Sequence, residues 1–318
     1  MRLRYLIILL ILLSLTSLFI GVRQISPLDL FNLTETQVQT MVISRLPRLL
    51  SIILAGSGLS IAGLIMQQLS RNKFVSPTTA GTMDSASLGI LVALLVFPSA
   101  GILEKLVVAF AFALTGSLLF MKILEKVKYR EAILIPLVGL MFGNIVGSIT
   151  TFFAYKHDLI QTVNTWLHGD FSIILKGRYE LLYLGVPLMV LAYFFADRFT
   201  VAGMGEDFSV NLGLNYRQVV NIGLTIVAMV TALVVLTVGM LPFLGLIIPN
   251  IVTMYRGDNL RNNLPHAAVL GAVFVLGCDI TGRLIIYPYE ISIGMMVGVI
   301  GSGLFFYLLF RRMFAHEA

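Results

Sequence analysis

The sequence predicts an all-α, polytopic membrane protein with about ten transmembrane helices, and two properties lead to that prediction. Of the 318 residues, 58% are hydrophobic and only 12% are charged, with a mean hydropathy of +0.94. A soluble domain carries about twice that share of charged residues. The apolar residues also form repeated runs of about 20, and each run is long enough to cross a bilayer as a helix.

We predict one transmembrane domain over residues 1–318. Its spans lie at about 3–21, 46–69, 78–98, 101–121, 132–155, 181–199, 218–238, 241–255, 265–284 and 291–310. An even number of spans puts both termini on the same side. Fourteen of the 22 Lys and Arg residues then fall on the side of the termini, and an excess of basic residues marks the cytoplasmic side. Both termini are therefore predicted to be cytoplasmic.

The stretch Ser44–Phe74 contains the most informative span. Pro47 suits the first turn of a helix, where its missing N–H leaves nothing unsatisfied, and Ser44 can cap that turn. Arg45 and Arg48 are three residues apart and are expected on one face of the opening turn. Gly, Ala and Ser crowd the middle of the span, which allows a neighbouring helix to approach closely. Just before this span, Thr34 and Gln37 form the pattern of a capping box, which predicts a short interfacial helix.

Residues 200–217 form a polar, glycine-punctuated loop on the predicted cytoplasmic side. Glu206 and Asp207 can begin a short helix there, because acids are stabilised near a helix N-terminus, and Gly213 can end it. A short helix lying across the membrane face usually needs a protein partner. The alternative is a simple connecting loop.

Two more patterns lie in the C-terminal third. Pro242 and Pro249 bracket a short apolar run around Gly245, which predicts a broken helix whose freed backbone is buried in protein. Asp279 and Arg283 are four residues apart near the outer end of the ninth span and can form an ion pair along one helix.

The absence of several motifs limits the possible functions. The sequence has no G-x-x-x-x-G-K-[ST] motif for binding ATP, and its four histidines show no H-E-x-x-H spacing. The single cysteine, Cys278, excludes an internal disulfide. The net charge of +6 indicates basic loops at an anionic lipid surface and no nucleic-acid partner. Asp84, placed near the inner end of its span, and Asp279 argue against a proton-driven carrier. These observations favour a transporter that is driven by a separate motor.

The chain resembles the permease subunits of the type II ABC importers that take up iron–siderophores, haem and vitamin B12 in bacteria. The resemblance runs from about residue 40 to 310. It rests on eight motifs in order: R-L-P-R at 45–48, A-G-S-G-L-S-I-A-G-L-I-M-Q at 55–67, N-K-F-V-S-P at 72–77, W-L-H-G-D at 166–170, N-L-G-L at 211–214, G-x-x-x-F-x-G-L-x-x-P at 239–249, D-I-T-G-R at 279–283 and E-I-S-I-G at 290–294. It extends further to G-S-G-L-F-F at 301–306. It implies the family fold of ten transmembrane helices, with two subunits paired across a central pathway in the bacterial cytoplasmic membrane.

The resemblance also implies site residues and partners. Arg45, Arg48 and Arg283 would face outward and receive acidic residues of an extracytoplasmic substrate-binding protein, and Asn72 and Phe74 would belong to an inner gate. The loop with Glu206, Asp207, Ser209, Leu212 and Gly213 would dock on an ATPase. The implied partners are a second permease subunit, with a heterodimer favoured over a homodimer, and two cytoplasmic ATPases that bind ATP and Mg²⁺. The chain itself would hold no cofactor and catalyse no reaction.

The chain departs from the family pattern in three places. Lys73 stands where the family often has proline, Asn250 and Thr253 replace the His and Arg of a P-H-x-x-R pattern, and T-A-G-T-M-D-S-A at 79–86 replaces L-G-x-x-x-G-A. The resemblance favours a ferric siderophore as the substrate. Haem or cobalamin import by the same family, an ion-coupled secondary carrier and an intramembrane enzyme are the alternatives.

Overall fold

The computed structural model describes residues 2–21, 34–126 and 134–314, and the regular structure in these ranges is helical, with no strand. The α-helices are α1 Leu3–Phe19, α2 Glu35–Thr40, α3 Leu46–Ser70, α4 Thr82–Val96, α5 Ile102–Lys126, α6 Leu134–Lys156, α7 Ile160–Leu167, α8 Gly185–Phe194, α9 Ala196–Ala202, α10 Glu206–Asn211, α11 Tyr216–Thr237, α12 Leu244–Arg256, α13 Leu260–Ile285 and α14 Ile293–Phe314. A π-helical segment, Met41–Arg45, precedes α3, and a 3₁₀-helix, Glu180–Leu184, precedes α8. The all-α prediction is confirmed.

Each predicted span overlaps one helix or one bent pair of helices. Within the described ranges, five helices are long and apolar enough to cross a membrane alone, and the pair around α8 and α9, bent by 60°, makes a sixth. Three shorter apolar helices, including α1 and α4, correspond to further predicted spans. The number of membrane crossings and their limits stay predictions.

The centre of the bundle is α3. Nineteen of its 25 residues are buried, and α13, α11 and α12 pack against it. The closest approaches are between glycines. A Cβ added to Gly56 would lie 2.8 Å from the carbonyl oxygen of Gly271 on α13, and one added to Gly63 would lie 2.6 Å from the Cα of Gly245 on α12. The small residues of the second span therefore serve the close helix packing that the sequence indicated.

The entry to α3 differs from the expectation. The capping box is confirmed, since the Gln37 N–H donates to Thr34 Oγ1 and the Thr34 N–H donates to Gln37 Oε1 at 2.9 Å. The helix that begins there continues through the π-helical segment into α3 without a break. The prediction that Ser44 caps α3 is therefore wrong, because Ser44 lies inside continuous helical backbone with its N–H already within the ladder.

Residues 71–81 connect α3 to α4 through turns, and most of them are buried. α4 has only 15 residues, a length of about 22 Å, which is shorter than the roughly 30 Å hydrocarbon core. The connection therefore folds back into the bundle, as irregular backbone can when it is buried in protein. The predicted helix break near Pro242 lies at Phe243, which has a φ of +61° at the start of α12, whereas Pro249 lies within α12.

Candidate functional site

The three predicted docking arginines lie at one end of the bundle, where the start of α3 meets the ends of α1 and α13. Arg48 donates from Nη2 and Nε to Asp279 Oδ1, at 2.7 and 3.0 Å, and from Nη1 to Glu290 Oε2 at 2.7 Å. Arg283 pairs with the other oxygen of Asp279 and donates to the carbonyl of Ile20 at 2.9 Å. Asp279 is thus shared by two guanidinium groups, and the predicted ion pair with Arg283 is confirmed.

These arginines are mostly buried. Arg45 is 8% exposed and donates to the carbonyl of Leu18, Arg283 is 6% exposed, and the Arg48 side chain is 12% exposed. Their charges are therefore largely engaged within the chain and fix α3 and α13 to the end of α1. Asp279 is paired with both Arg48 and Arg283, and Glu290 is paired with Arg48. Docking by these residues stays a prediction, and Arg48, beside the partly exposed Glu290, is the one nearest the surface.

The predicted gate residues lie at the opposite end of α3. Asn72 is buried, and its Oδ1 accepts from the N–H of Phe74 at 2.8 Å. The Phe74 ring meets Phe305 of α14 edge to face, with 6.1 Å between ring centroids. These contacts fix the turn after α3 and bring the phenyl ring against another helix.

Side chains from two helices hold the same turn. The carbonyl of Lys73 accepts from Gln67 Nε2 and from Asn250 Nδ2, each at 2.8 Å, and Lys73 Nζ pairs with Asp258 at 2.9 Å. Asn250, which departs from the family pattern, therefore has a structural role, since it joins α12 to the turn after α3. Sequence reasoning did not find the contacts of Gln67 and Asp258.

The predicted short helix in the 200–217 loop is confirmed as α10. Glu206 and Asp207 occupy its first turn, and Gly213, with a φ of +78°, follows its end. Ser209 is fully buried, and its hydroxyl lies 3.1 Å from the carbonyl oxygen of Val201 on α9, to which it donates, so it holds α10 against the bundle. The surface around α10 is apolar. Its large exposed side chains are Met204, Phe208, Val210 and Leu212, which are 48–62% exposed.

Asp84 lies in the first turn of α4 and against the middle of α6. A Cβ added to Gly143 of α6 would lie 2.7 Å from Asp84 Oδ2, and one added to Gly147 would lie 3.8 Å from Oδ1. These glycines are the tenth and fourteenth of the 23 residues of α6. Asp84 thus lies at the end of its own span that was predicted to be the inner one. It is nevertheless level with the middle of α6, because the connection before α4 folds back into the bundle.

A profile of the FecCD transport family matches residues 8–311. The chain belongs to the FecCD transport family. Over 312 residues it is 68% identical to the petrobactin import system permease protein YclN of Bacillus subtilis, covering 98% of this chain and 99% of the relative. It is 41% identical to the ferric-anguibactin transport system permease protein FatD of Vibrio anguillarum, covering 93% and 94%.

The FecCD-family fold is also found among solved structures. An inward-facing conformation of a metal-chelate type ABC transporter superposes with a TM-score of 0.81 and 23% identity, over 97% of this chain and 98% of that chain. At this identity the likeness concerns the fold. The resemblance inferred from eight ordered motifs is confirmed by the family match, and membership makes this FecCD-family chain a transport subunit rather than an enzyme.

Proposed function

We propose that this chain is a permease subunit of an ATP-driven importer that carries a ferric siderophore across the bacterial cytoplasmic membrane. The observation that carries the proposal is the 68% identity, over nearly the full length of both chains, to a permease of a petrobactin import system. The 41% identity to a ferric-anguibactin permease supports the same class of substrate. Both of those substrates are siderophores, which favours this class over haem and cobalamin.

The proposed ATPase contact is the α10 surface, formed by Met204, Phe208, Val210 and Leu212. The side chains are large, apolar and exposed. Phe208 and Val210 lie on the six-residue helix, Met204 precedes it and Leu212 follows it. Exposed apolar patches rimmed by polar residues are typical of protein–protein contacts. The buried Ser209 anchors α10 to the bundle, so a force on this surface would reach α9 and α11. ATP and Mg²⁺ would be held by the partner ATPases.

At the other end, the arginine cluster would receive acidic side chains of a substrate-binding protein. The Arg48 guanidinium is paired with Glu290, whose side chain is 29% exposed, so an incoming carboxylate would exchange with Glu290 at the edge of the cluster. Pairs at the rim of an interface mainly set orientation and association rate, so docking would weaken as salt is added. The termini would be cytoplasmic, and a second, related permease subunit would complete the pathway.

Affinity capture of the tagged chain from gently solubilised membranes tests the proposal. We expect a P-loop ATPase to co-purify, together with a second permease. The double variant Phe208→Asp/Leu212→Asp should lose the ATPase, because two charges would be placed in the apolar contact, and should keep the second permease. A matched control is Tyr155→Asp, which changes an exposed residue far from α10. Recovery of the ATPase with the double variant would contradict the proposed contact, and recovery of no ATPase with the unmodified chain would contradict the proposed function.

A further inference from the structure

A cleft of about 670 Å³ opens between α4, α6 and α7, and the described residues that line it include none of the three clustered arginines and no residue of α10. Asp84 and Ser87 of α4 lie at its inner part, and Asn144, Ser148 and Thr151 of α6 form one wall. The cleft extends past the end of α6 to α7, so it connects the middle of the bundle with the end of the bundle that we assign to the outside.

Asp84 has no basic partner in this cleft. Among the described residues that line it, none is Lys, Arg or His. The ion pairs within residues 2–21, 34–126 and 134–314 involve Asp197, Asp258, Asp279 and Glu290 and leave Asp84 out. Asp279, by contrast, is paired with two arginines. An ionisable group in a membrane helix is costly and normally pairs or lines a pathway.

The hydroxyl groups of the cleft are arranged as acceptors. Ser148 Oγ donates to the carbonyl of Asn144 at 2.8 Å, and Thr151 Oγ1 donates to the carbonyl of Gly147 at 2.9 Å. A hydroxyl whose proton is used in this way presents only its lone pairs to the cleft. The wall of α6 therefore adds acceptor oxygens to the carboxylate of Asp84.

Two further features show that this space is built into the fold. Gly143 and Gly147, one turn apart on α6, leave the room that the Asp84 carboxylate occupies. Ser87 is 1% exposed, and its Oγ has no hydrogen-bond partner among the residues that the structure describes. A buried polar atom without a partner is uncommon in proteins and calls for an explanation. The position of Asp84 in the first turn of α4 favours its ionised form, but it accounts neither for the acceptor wall nor for Ser87.

We propose that this α4–α6 cleft binds a positively charged group, with Asp84 as its counter-charge and Ser148 and Thr151 as accepting oxygens. The charged group would be either an ammonium of the transported compound, which rests on the proposed function, or a free monovalent cation. Both have the same chemistry, namely a cation that needs a carboxylate and neutral oxygen acceptors.

The single cysteine of the chain makes the cleft accessible to a direct measurement. In a Cys278→Ala background, Phe152→Cys places one thiol at the wall of the cleft, within the membrane-embedded complex and its partner subunits, and leaves Asp84, Ser148 and Thr151 in place. We measure how fast this thiol reacts with two methanethiosulfonate reagents, one cationic (trimethylammonium) and one anionic (sulfonate). Both rates are measured with Asp84 in place and again in the Asp84→Asn variant. We expect the ratio of cationic to anionic rates to fall about tenfold in Asp84→Asn, because a carboxylate attracts one reagent and repels the other. Asp197→Asn, which removes an exposed charge elsewhere, should leave the ratio unchanged.

The competing outcomes separate the possibilities. An unchanged ratio in Asp84→Asn, or a thiol that reacts with neither reagent, would overturn the proposal. Slower labelling in the presence of ferric petrobactin, lost in Asp84→Asn, would identify the substrate as the source of the cation. Slower labelling in sodium or potassium chloride than in N-methylglucamine chloride would identify a free ion, and protection by neither would refute a binding site. Because labelling needs no transport, a failure of ATP-dependent uptake with normal labelling would count against the proposed function alone.

Discussion

Replacing Asp279 by alanine should destabilise the folded chain more than the loss of any other single charge at either end of the helical bundle. Asp279 is 0% exposed and is paired with both Arg48 and Arg283. Its removal leaves Arg283 with neutral acceptors, namely the Ser17 hydroxyl and the carbonyls of Ser17 and Ile20, and leaves Arg48 with Glu290 as its acidic partner among the described residues. Removing one partner of a buried ion pair costs about 3–5 kcal/mol. At a few degrees per kcal/mol for a chain of this size, we expect a fall in Tm of roughly 5–15 °C.

Cys278 supplies the assay. It is the only cysteine, it is 2% exposed, and it precedes Asp279, so a fluorogenic thiol reagent reports the unfolding of α13 during heating in detergent. The control is Asp197→Ala, whose pair with Arg261 has side chains 60% and 55% exposed and should contribute no more than about 1 kcal/mol. Equal Tm values for Asp279→Ala and Asp197→Ala would refute the view that Asp279 holds α3 and α13 together.

Three further predictions concern α3 and its two ends. Gly63→Ala should lower the Tm and reduce the yield of folded protein, because the added Cβ would lie 2.6 Å from Gly245 Cα. The control Gly277→Ala has open space around the added Cβ and should do neither. Similar Tm values for the two variants would contradict the close packing. Phe74→Ala removes the ring contact with Phe305 and should raise ATP hydrolysis that is not coupled to uptake. Phe74→Leu should retain most of the coupling between hydrolysis and uptake. Unchanged coupling in both variants would contradict the gate assignment. Arg48→Glu should weaken capture of the loaded binding protein at least tenfold at low salt, while the permease and ATPase subunits should still assemble. Undiminished capture would argue against docking at the arginine cluster.

Local patterns in the sequence were sufficient for several elements. The capping box at Thr34 and Gln37, the short helix that begins at Glu206, and the ion pair of Asp279 with Arg283 are formed by residues within four positions of each other. Hydropathy likewise located α3, whose glycines indicated close packing. Such features depend on backbone hydrogen bonds and side-chain periods along one helix.

Contacts between distant segments could not be predicted in this way. The burial of Arg45 and Arg283 depends on where α1 ends, and the depth of Asp84 depends on a turn that folds back into the bundle. The two amides on the Lys73 carbonyl, from Gln67 and Asn250, come from separate helices. Each of these arrangements is fixed by tertiary packing rather than by sequence spacing.

Uptake of ⁵⁵Fe-labelled ferric siderophore into proteoliposomes tests the central claim most directly. The chain would be reconstituted with its co-purifying subunits and a loaded binding protein, and ATP would be enclosed in the vesicles. We predict uptake that requires hydrolysable ATP, persists in the presence of an uncoupler, and is lost when Phe208 and Leu212 are both replaced by aspartate. Uptake that continues without ATP and collapses with the uncoupler would contradict an ATP-driven permease and favour an ion-coupled carrier.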